Sequence, residues 1–194
     1  MERAVSQQSG QSSGSKQRVL LIVGVVLILG LITIMAVNMI DIESVDLKDR
    51  KAPEFSLALF DQFEDDQIAL SDLRGQVVVV NFWASWCVEC YKEADLLEQA
   101  WQDYKDRGVV FIGVDHLDTE KEALAYMEKY NITYPSGPDL GDKISQDYAI
   151  TGVPETFFID KDGNIVHVQL GPIEKTQLYG LIDKLLAQQP SEGT

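Results

Sequence analysis

Hydrophobic and polar positions follow two periods along most of the chain, and these periods predict strands and helices in turn. Residues 76–83 contain four consecutive valines, a β-branched run typical of a strand that is buried on both faces. Residues 109–114 form a second run of this kind. Between these runs, residues 87–105 carry apolar side chains at helical spacing, namely Ala94, Leu97, Trp101 and Tyr104. The pattern therefore predicts a strand–helix–strand unit in the middle of the chain.

Shorter patterns on either side of this unit complete the predicted fold. Before it, we expect a hairpin of residues 55–60 and 68–70, followed by one helical turn at 71–75. After it, Thr119 and Glu122 have the spacing of a capping box, which opens a helix through Tyr130. The remaining predicted elements are a short helix at 142–148, strands at 156–159 and 165–170 joined by a turn at 162–164, and a last helix with Leu178, Leu181, Ile182, Leu185 and Leu186 on one face. This order of elements predicts an α/β sandwich.

Residues 19–37 form an apolar segment whose only polar side chain is Thr33. As a helix this segment spans roughly 28 Å, close to the thickness of the hydrocarbon core of a bilayer. A cleaved signal peptide has a shorter apolar stretch and a small-residue cleavage site, and residues 36–38 match such a site poorly. The segment is therefore interpreted as an uncleaved transmembrane anchor. No cysteine follows it that would accept a lipid.

The charges that flank the anchor predict its orientation. Lys16 and Arg18 precede it, whereas Asp41, Glu43 and Asp46 follow it. Because basic residues stay on the cytoplasmic side, the larger C-terminal part is expected outside the cytoplasm. The predicted organisation is a flexible cytoplasmic tail at 1–18, a transmembrane anchor at 19–40, a linker at 41–51, an extracytoplasmic domain at 52–188 and a tail at 189–194.

Composition excludes several classes of protein. The chain has 31 acidic and 16 basic residues and a formal charge of −15, which argues against a nucleic-acid partner because phosphate binding needs clustered Lys and Arg. Two cysteines are too few for a disulfide-stapled mini-protein. His116 and His167 lie too far apart for a zinc finger, and neither is assigned a role, since each is expected to face solvent. We expect no metal and no cofactor.

The informative motif is Cys87-Val-Glu-Cys90, directly after the buried strand and at the predicted start of a helix. Residues three apart in a helix have Cβ atoms about 5–6 Å apart, so a small adjustment allows a disulfide. Backbone N–H groups and the helix dipole stabilise a thiolate at the first position. Cys87 is therefore expected to attack a substrate disulfide, and the more shielded Cys90 is expected to resolve the mixed disulfide.

Two alternatives to a redox role are a structural disulfide and one half of a metal site. A structural disulfide is seldom so local, and the chain offers no obvious further ligands for a metal. Covalent haem attachment is excluded because Tyr91, and not histidine, follows Cys90. The position of the motif in a strand–helix unit favours a redox dithiol.

The stretches VVNFWASWCVEC (79–90) and GVPETFFID (152–160) resemble the thioredoxin superfamily, and more closely the membrane-anchored TlpA/ResA/CcmG type of thiol–disulfide oxidoreductase. The resemblance covers roughly residues 50–188. It implies a thioredoxin-like three-layer sandwich with an added N-terminal β-hairpin and an insertion before the third core strand. It also implies reduction of protein disulfides, often those of apocytochrome c before haem attachment. The implied electron donor is a membrane thiol transporter of the CcdA/DsbD kind.

The resemblance assigns the dithiol and its proton acceptor. Cys87 and Cys90 match the redox pair, and Glu93 matches an acidic residue that assists proton transfer. On a helix Glu93 shares a face with Cys90, so its carboxyl is suited to relay the proton of a buried thiol. An ordinary solvated glutamate on the helix surface is the alternative.

Four further residues are expected to contact the substrate. Pro154 matches a cis-proline that faces the dithiol, and a plain proline at a strand start is its alternative. Val153 would offer its backbone to an extended substrate segment. Glu155 matches a residue of cytochrome-maturation members and would line the substrate groove. Trp86 is expected to cover one side of the reactive sulfur, whereas Trp83 is expected in the core.

The chain departs from its relatives at two positions. Cytosolic thioredoxins have a buried aspartate where this chain has Asn81, which makes Glu93 more important as a proton acceptor. Many relatives have proline where this chain has Glu89, and a carboxylate there opposes formation of the thiolate. The reduction potential is therefore not fixed by the resemblance.

Three other functions compete with the reductase. A general disulfide oxidoreductase would use the same dithiol in either direction. A peroxiredoxin-like antioxidant shares the fold, but its Pro-x-x-x-Thr-x-x-Cys pattern is absent, because Val80 and Ala84 occupy the corresponding positions. A non-catalytic binding module tethered to the membrane would not depend on the cysteines at all.

Overall fold

The computed structural model describes residues 50–189 and, before them, only Ile22, Gly24, Leu27, Ile28 and Gly30, which are helical. The predicted tail 1–18 lies outside the described residues, as do most of the predicted anchor 19–40 and linker 41–51, and residues 190–194. Within the part of the chain that is described, no helix has the length and apolar character needed to cross a bilayer.

Eight strands and four α-helices build the described domain. The strands are β1 (Arg50–Lys51), β2 (Ser56–Ala58), β3 (Gln67–Ala69), β4 (Val77–Trp83), β5 (Val109–Asp115), β6 (Ser136–Pro138), β7 (Glu155–Ile159) and β8 (Asn164–Leu170). The helices are α1 (Ala94–Tyr104), α2 (Glu120–Lys129), α3 (Lys143–Asp147) and α4 (Lys175–Leu186). The predicted strands and helices are confirmed, apart from the differences described below.

A six-stranded sheet in the order β1-β8-β7-β4-β5-β6 forms the centre of this domain. Strand β4 pairs in parallel with β5 and antiparallel with β7, so it lies in the middle of the sheet. Strand β1 lies at the end of the predicted linker 41–51, where Arg50 and Lys51 pair with β8. Strand β6 was not predicted, since its three residues, Ser-Gly-Pro, show no apolar pattern. The result is the predicted thioredoxin-like α/β fold.

The side chains of β4 alternate between two cores. Val77, Val79 and Trp83 face one apolar cluster, which includes both cysteines and residues of α1 and α4. Val78, Val80 and Phe82 face the other cluster, with residues of β7 and the hairpin. Every residue of β4 is buried, as the valine run predicts. Because side chains alternate along a strand, Asn81 lies on the same face as Val79 and Trp83.

The predicted helix at 87–105 does not begin at Cys87. A short 3-10 helix spans Cys90–Lys92, and α1 begins only at Ala94. Between them, the Glu93 backbone has φ −113° and its amide donates to the Cys90 carbonyl in 3-10 fashion. The Glu93 carboxyl is bound in the interior at this point, by Asn81 and by the Ile173 amide. The break therefore coincides with a buried side chain that the apolar periodicity does not register.

The hairpin and the helix cap agree with the sequence. Strands β2 and β3 pair antiparallel, and the Phe60 amide donates to the Ser136 carbonyl, which fastens the hairpin to β6. Gly137 makes this approach possible, because a Cβ there would collide with the carbonyl of Ala58. Thr119 accepts a hydrogen bond from the Glu122 amide at 3.3 Å and caps α2.

Candidate active site

The two cysteines form a disulfide at the carboxyl end of β4. Their sulfurs are 2.10 Å apart and their Cα atoms 5.3 Å apart. The Cys90 amide donates to Cys87 Sγ at 3.0 Å, so one backbone N–H is placed to stabilise a thiolate on this sulfur when the disulfide is reduced. Cys87 is 5 % exposed and Cys90 only 1 %. The first sulfur is therefore the more accessible, in the order expected for attacking and resolving cysteines.

The loop before β7 lies against this disulfide. The Val153–Pro154 peptide bond is cis, as the resemblance implies, and the plain-proline alternative is wrong. The Val153 carbonyl oxygen lies 3.5 Å from Cys87 Sγ. The loop and the dithiol thus form the two sides of one surface site.

Glu93 is buried, and its carboxyl is bound by two other segments of the chain. The Asn81 side-chain amide donates to Glu93 Oε1 at 2.9 Å and to Thr156 Oγ1 at 2.9 Å. The Ile173 amide donates to Glu93 Oε2 at 2.9 Å. Burial raises the pKa of Glu93 to about 7, although both hydrogen bonds favour the carboxylate and lower it. Glu93 is only 1 % exposed, so the alternative of a solvated surface glutamate is wrong.

A second buried carboxyl, Asp115, was not found by sequence reasoning. It ends β5, where it is the register partner of Trp83. Burial, and after it the charge of Asp118, raise the pKa of Asp115 to about 8. Asp115 Oδ1 and Trp83 Nε1 are buried and lack hydrogen-bond partners among the described residues. The sequence did contain a signal for this residue. Asp115 is an acid at the end of an otherwise apolar strand, and that strand neighbours β4, which leads into the cysteine motif.

Trp86 is exposed beside the disulfide, and Trp83 is buried as predicted. Trp86 Nε1 donates to the Leu117 carbonyl at 3.1 Å, which fixes the indole against the loop after β5. Val88 and Leu117 are also exposed, at 67 % and 66 %. Trp86, Val88 and Leu117 therefore form an exposed apolar rim around the redox pair, and we call these three residues the apolar rim. Such a rim is typical of a surface that contacts another polypeptide.

Glu155 lies inside the domain and not on an open surface. It is 4 % exposed, and its Oε1 accepts hydrogen bonds from the Thr151 amide at 2.8 Å and the Thr151 hydroxyl at 2.6 Å. These bonds hold the segment that leads into the cis peptide. The geometry thus gives Glu155 a positioning role for the loop, while direct contact with a substrate stays a prediction.

The two histidines are less solvated than expected. The His116 side chain is only 15 % exposed, and its Nδ1 lies 2.9 Å from Asp142 Oδ1 and 3.1 Å from Ser145 Oγ. The His167 ring is half-buried against Phe158, with ring centroids 5.8 Å apart. For His116 the expectation of a solvated ring was wrong, because its partners come from a segment distant in the sequence. His167 keeps an exposed contact, with its Nε2 at 3.3 Å from Gln177 Nε2. Among the described residues, no group of three or more potential metal ligands occurs.

Comparisons with known proteins agree with this site. A model of the AhpC/TSA family matches residues 49–168. A thiol-disulfide oxidoreductase ResA of Bacillus cereus is 35% identical over 136 residues, which cover 70% of this chain and 77% of that protein. The thiol:disulfide interchange protein DsbE of Allochromatium vinosum is 42% identical over 131 residues, which cover 66% of this chain and 69% of that protein.

Solved structures show the same likeness. A thioredoxin-family thiol:disulfide interchange protein from Chlorobium tepidum TLS superposes with a TM-score of 0.66 at 27% identity, over 74% of this chain and 100% of that one. The family match spans the strand–helix unit, the disulfide and the loop before β7. The chain therefore belongs to the AhpC/TSA family, within the thioredoxin fold, and is a thiol–disulfide oxidoreductase.

Proposed function

We propose that this oxidoreductase works as a reductant of protein disulfides, tethered to a membrane with its catalytic domain outside the cytoplasm. The observation that carries the proposal is the position of Cys87 Sγ, 3.5 Å from the Val153 carbonyl and framed by the apolar rim. A polypeptide substrate fits such a surface better than a small molecule, because it can contact the rim and the loop at the same time.

The proposed reaction uses the two cysteines in sequence. In the reduced protein, the Cys87 thiolate attacks one sulfur of a substrate disulfide, a mixed disulfide forms, and the other substrate sulfur leaves as a thiolate. The Cys90 sulfur then attacks Cys87, the mixed disulfide breaks, and the Cys87–Cys90 disulfide forms as the second substrate sulfur leaves. Two electrons pass from the protein to the substrate, which is released as a dithiol.

Glu93 is the proposed proton acceptor for the second step. Cys90 is buried and must lose its proton before its sulfur attacks, and Glu93 follows it by three residues. With a pKa raised to about 7, the Glu93 carboxyl exchanges protons in the neutral range, which suits a general base. The proton returns to solvent or to the departing substrate thiolate.

The loop before β7 is the proposed docking element. The Val153 backbone faces the disulfide and is suited to pair with an extended substrate segment next to Pro154, by strand addition. Trp86 would pack against the same segment from the other side of Cys87. Glu155 would support docking by holding Thr151, in addition to the substrate contact that the resemblance implies.

The biological setting that we propose follows the resemblance to the TlpA/ResA/CcmG type. The substrate would be an oxidised protein, with apocytochrome c as the leading example. Electrons would come from a membrane thiol transporter of the CcdA/DsbD kind. The apolar segment 19–37 supplies the proposed anchor, and the acids that follow it support an extracytoplasmic domain.

The direction of electron flow can be tested by measuring the reduction potential of the full chain. A reductant is expected near the value of thioredoxin, about −270 mV, whereas a value near that of DsbA, about −120 mV, would contradict the proposal. Cys90→Ala is expected to accumulate mixed disulfides through Cys87, and Cys87→Ala to accumulate none. A non-catalytic binding module would capture the same partners with either variant.

A further inference from the structure

We propose that a cleft beside the Val153–Pro154 loop is a specificity subsite that receives a lysine or arginine side chain of the substrate, close to the attacked cysteine. This inference rests on the proposed function, because it assumes a polypeptide disulfide as substrate. Neither the motif nor the resemblance assigns a role to the residues that line this cleft.

The cleft has a volume of about 150 Å³ and lies between three segments of the chain. His116, from the loop after β5, forms one wall. Asp142 and Ser145, at the start of α3, form the second wall. Thr151 and Gly152, which lead into the cis peptide, form the third. The cleft is therefore assembled from segments that only the folded chain brings together.

The third wall connects the cleft to the redox pair. Gly152 directly precedes Val153, whose carbonyl oxygen lies 3.5 Å from Cys87 Sγ. An extended polypeptide advances about 3.3 Å per residue. A substrate cysteine is bonded to Cys87, and the substrate backbone runs along this loop. The substrate side chain one or two positions from that cysteine therefore lies next to the cleft.

The charge of the cleft selects a cation. Its lining includes one carboxylate, that of Asp142, and no lysine or arginine. Asp142 Oδ1 lies 2.9 Å from His116 Nδ1, yet this oxygen is buried and has no hydrogen bond of good geometry among the described residues. A buried acceptor without a well-aligned donor gains free energy when a ligand supplies one.

The contacts of His116 do not satisfy Asp142 Oδ1 as a hydrogen-bond acceptor. His116 Nδ1 also lies 3.1 Å from Ser145 Oγ, and a single ring nitrogen serves both neighbours with at most one N–H. Because both contacts use the same nitrogen, the three residues do not form a proton relay of the Ser-His-Asp type, which needs both ring nitrogens. The cluster is thus suited to binding and not to hydrolysis.

The loop wall offers no free donor from Thr151. Its amide and its hydroxyl both donate to Glu155 Oε1, so both are already used. Asp142 remains the charged acceptor of the cleft and matches an ammonium or guanidinium group, whose N–H groups only donate. A carboxylate side chain would meet Asp142 as a like charge and is expected to be disfavoured.

The test uses the reduced full-length protein and three synthetic peptides. The peptides differ only in the two neighbours of a single disulfide-bonded cysteine, which are Lys, Gln or Glu. Single-turnover rates of disulfide reduction are expected to favour Lys over Gln about fivefold, the effect of an ion pair at a partly exposed site. Raising the ionic strength from about 0.05 M to about 0.5 M is expected to reduce this preference.

Asp142→Asn and Asp147→Asn form a matched pair of variants. Asparagine is tolerated at the left-handed backbone of Asp142, where φ is 60°. Asp147 ends the helix that Asp142 precedes and pairs with Lys143 outside the cleft, so its replacement changes the net charge equally. The ratio of Lys to Gln rates is expected to fall below about twofold in Asp142→Asn and to keep its value in Asp147→Asn.

Equal rates for the three peptides would contradict the subsite and leave the proposed reductase function standing. An equal fall of the Lys-to-Gln rate ratio in the two variants would do the same. A preference that is insensitive to salt would also count against it. If the reduced protein acts on none of the peptides, the proposed function itself fails, and the subsite fails with it.

Discussion

The side-chain amide of Asn81 donates a hydrogen bond of 2.9 Å to the carboxyl of Glu93, which joins the central strand to the break between the redox motif and helix α1. The same nitrogen donates to Thr156 on the neighbouring strand β7. Both N–H groups of the amide are therefore in use, and Thr156 fixes the orientation of the side chain that binds Glu93. The proposed proton acceptor for Cys90 is in this way held in place without a second charge.

Replacing Glu93 by Gln is expected to slow the resolution of the mixed disulfide by roughly a hundredfold or more, the usual contribution of a general base. In the wild type the rate should rise with pH through about 7, because the carboxylate form accepts the proton. In Glu93→Gln this rise should disappear. Stopped-flow decay of a preformed mixed disulfide between about pH 5 and about pH 9 measures both effects.

Asp95→Asn is the matched control for this experiment, because Asp95 is an exposed acid in the first turn of α1. It should keep the rise through about pH 7. Glu93→Gln also removes the acceptor of the Ile173 amide, so its thermal stability has to be compared in parallel. A pH profile that is the same in both variants would show that Glu93 does not take the proton.

Asp115 is expected to make the protein less stable as the pH rises. Its folded pKa, about 8, lies above the unfolded value of 3.8, so between these pH values the folded state binds more protons than the unfolded state. The free energy of unfolding therefore falls as pH increases across this window. Asp115→Asn should raise the Tm at about pH 8.5 by on the order of 5 °C and have little effect at about pH 4.

Differential scanning calorimetry at the two pH values tests this sign. Asp61→Asn, which removes an exposed acid in the hairpin turn, should change the Tm little at either pH. A gain in Asp115→Asn that is as large at the acidic as at the alkaline pH would point to packing and not to titration.

Glu89 is expected to affect the reduction potential only slightly. Its carboxylate is half exposed and accepts hydrogen bonds from Lys92 Nζ at 2.7 and 2.6 Å, so its charge is screened and partly compensated. Glu89→Gln should therefore shift the potential by less than about 10 mV, the equivalent of a few tenths of a kcal/mol. Equilibration with glutathione measures this shift, and a change of about 30 mV or more would contradict it.

Trp86 is expected to matter for polypeptides and not for small disulfides. It is 56 % exposed and fixed by its bond to the Leu117 carbonyl, so it offers a rigid apolar contact beside Cys87. In Trp86→Ala, the ratio of kcat/KM for a disulfide-bonded polypeptide to that for hydroxyethyl disulfide should fall about tenfold. An unchanged ratio would show that Trp86 does not contribute to substrate docking.

The sequence predicted the parts of this protein that depend on local patterns. The valine run of β4, the motif at Cys87 and Cys90, the cap at Thr119 and the cis bond before Pro154 were all anticipated. Each of these is encoded within a few neighbouring residues or carried by a family motif.

The parts that were not anticipated depend on contacts between distant segments. The break in the helix at Glu93 depends on Asn81 and on the amide of Ile173. The partial burial of His116 depends on Asp142 and Ser145. Apolar periodicity locates elements but does not report which polar groups meet once they pack, so these contacts appear only in the folded chain.

The double use of the Asn81 amide has a consequence for sequence variation. A leucine at position 81 would leave a Glu93 oxygen and the Thr156 hydroxyl short of a donor, and an aspartate would set two acids against each other in one buried site. The two positions should therefore co-vary among relatives: an acid at the position of Glu93 requires a neutral donor opposite it on β4. Where that acid is lost, the strand position becomes free to take an apolar side chain.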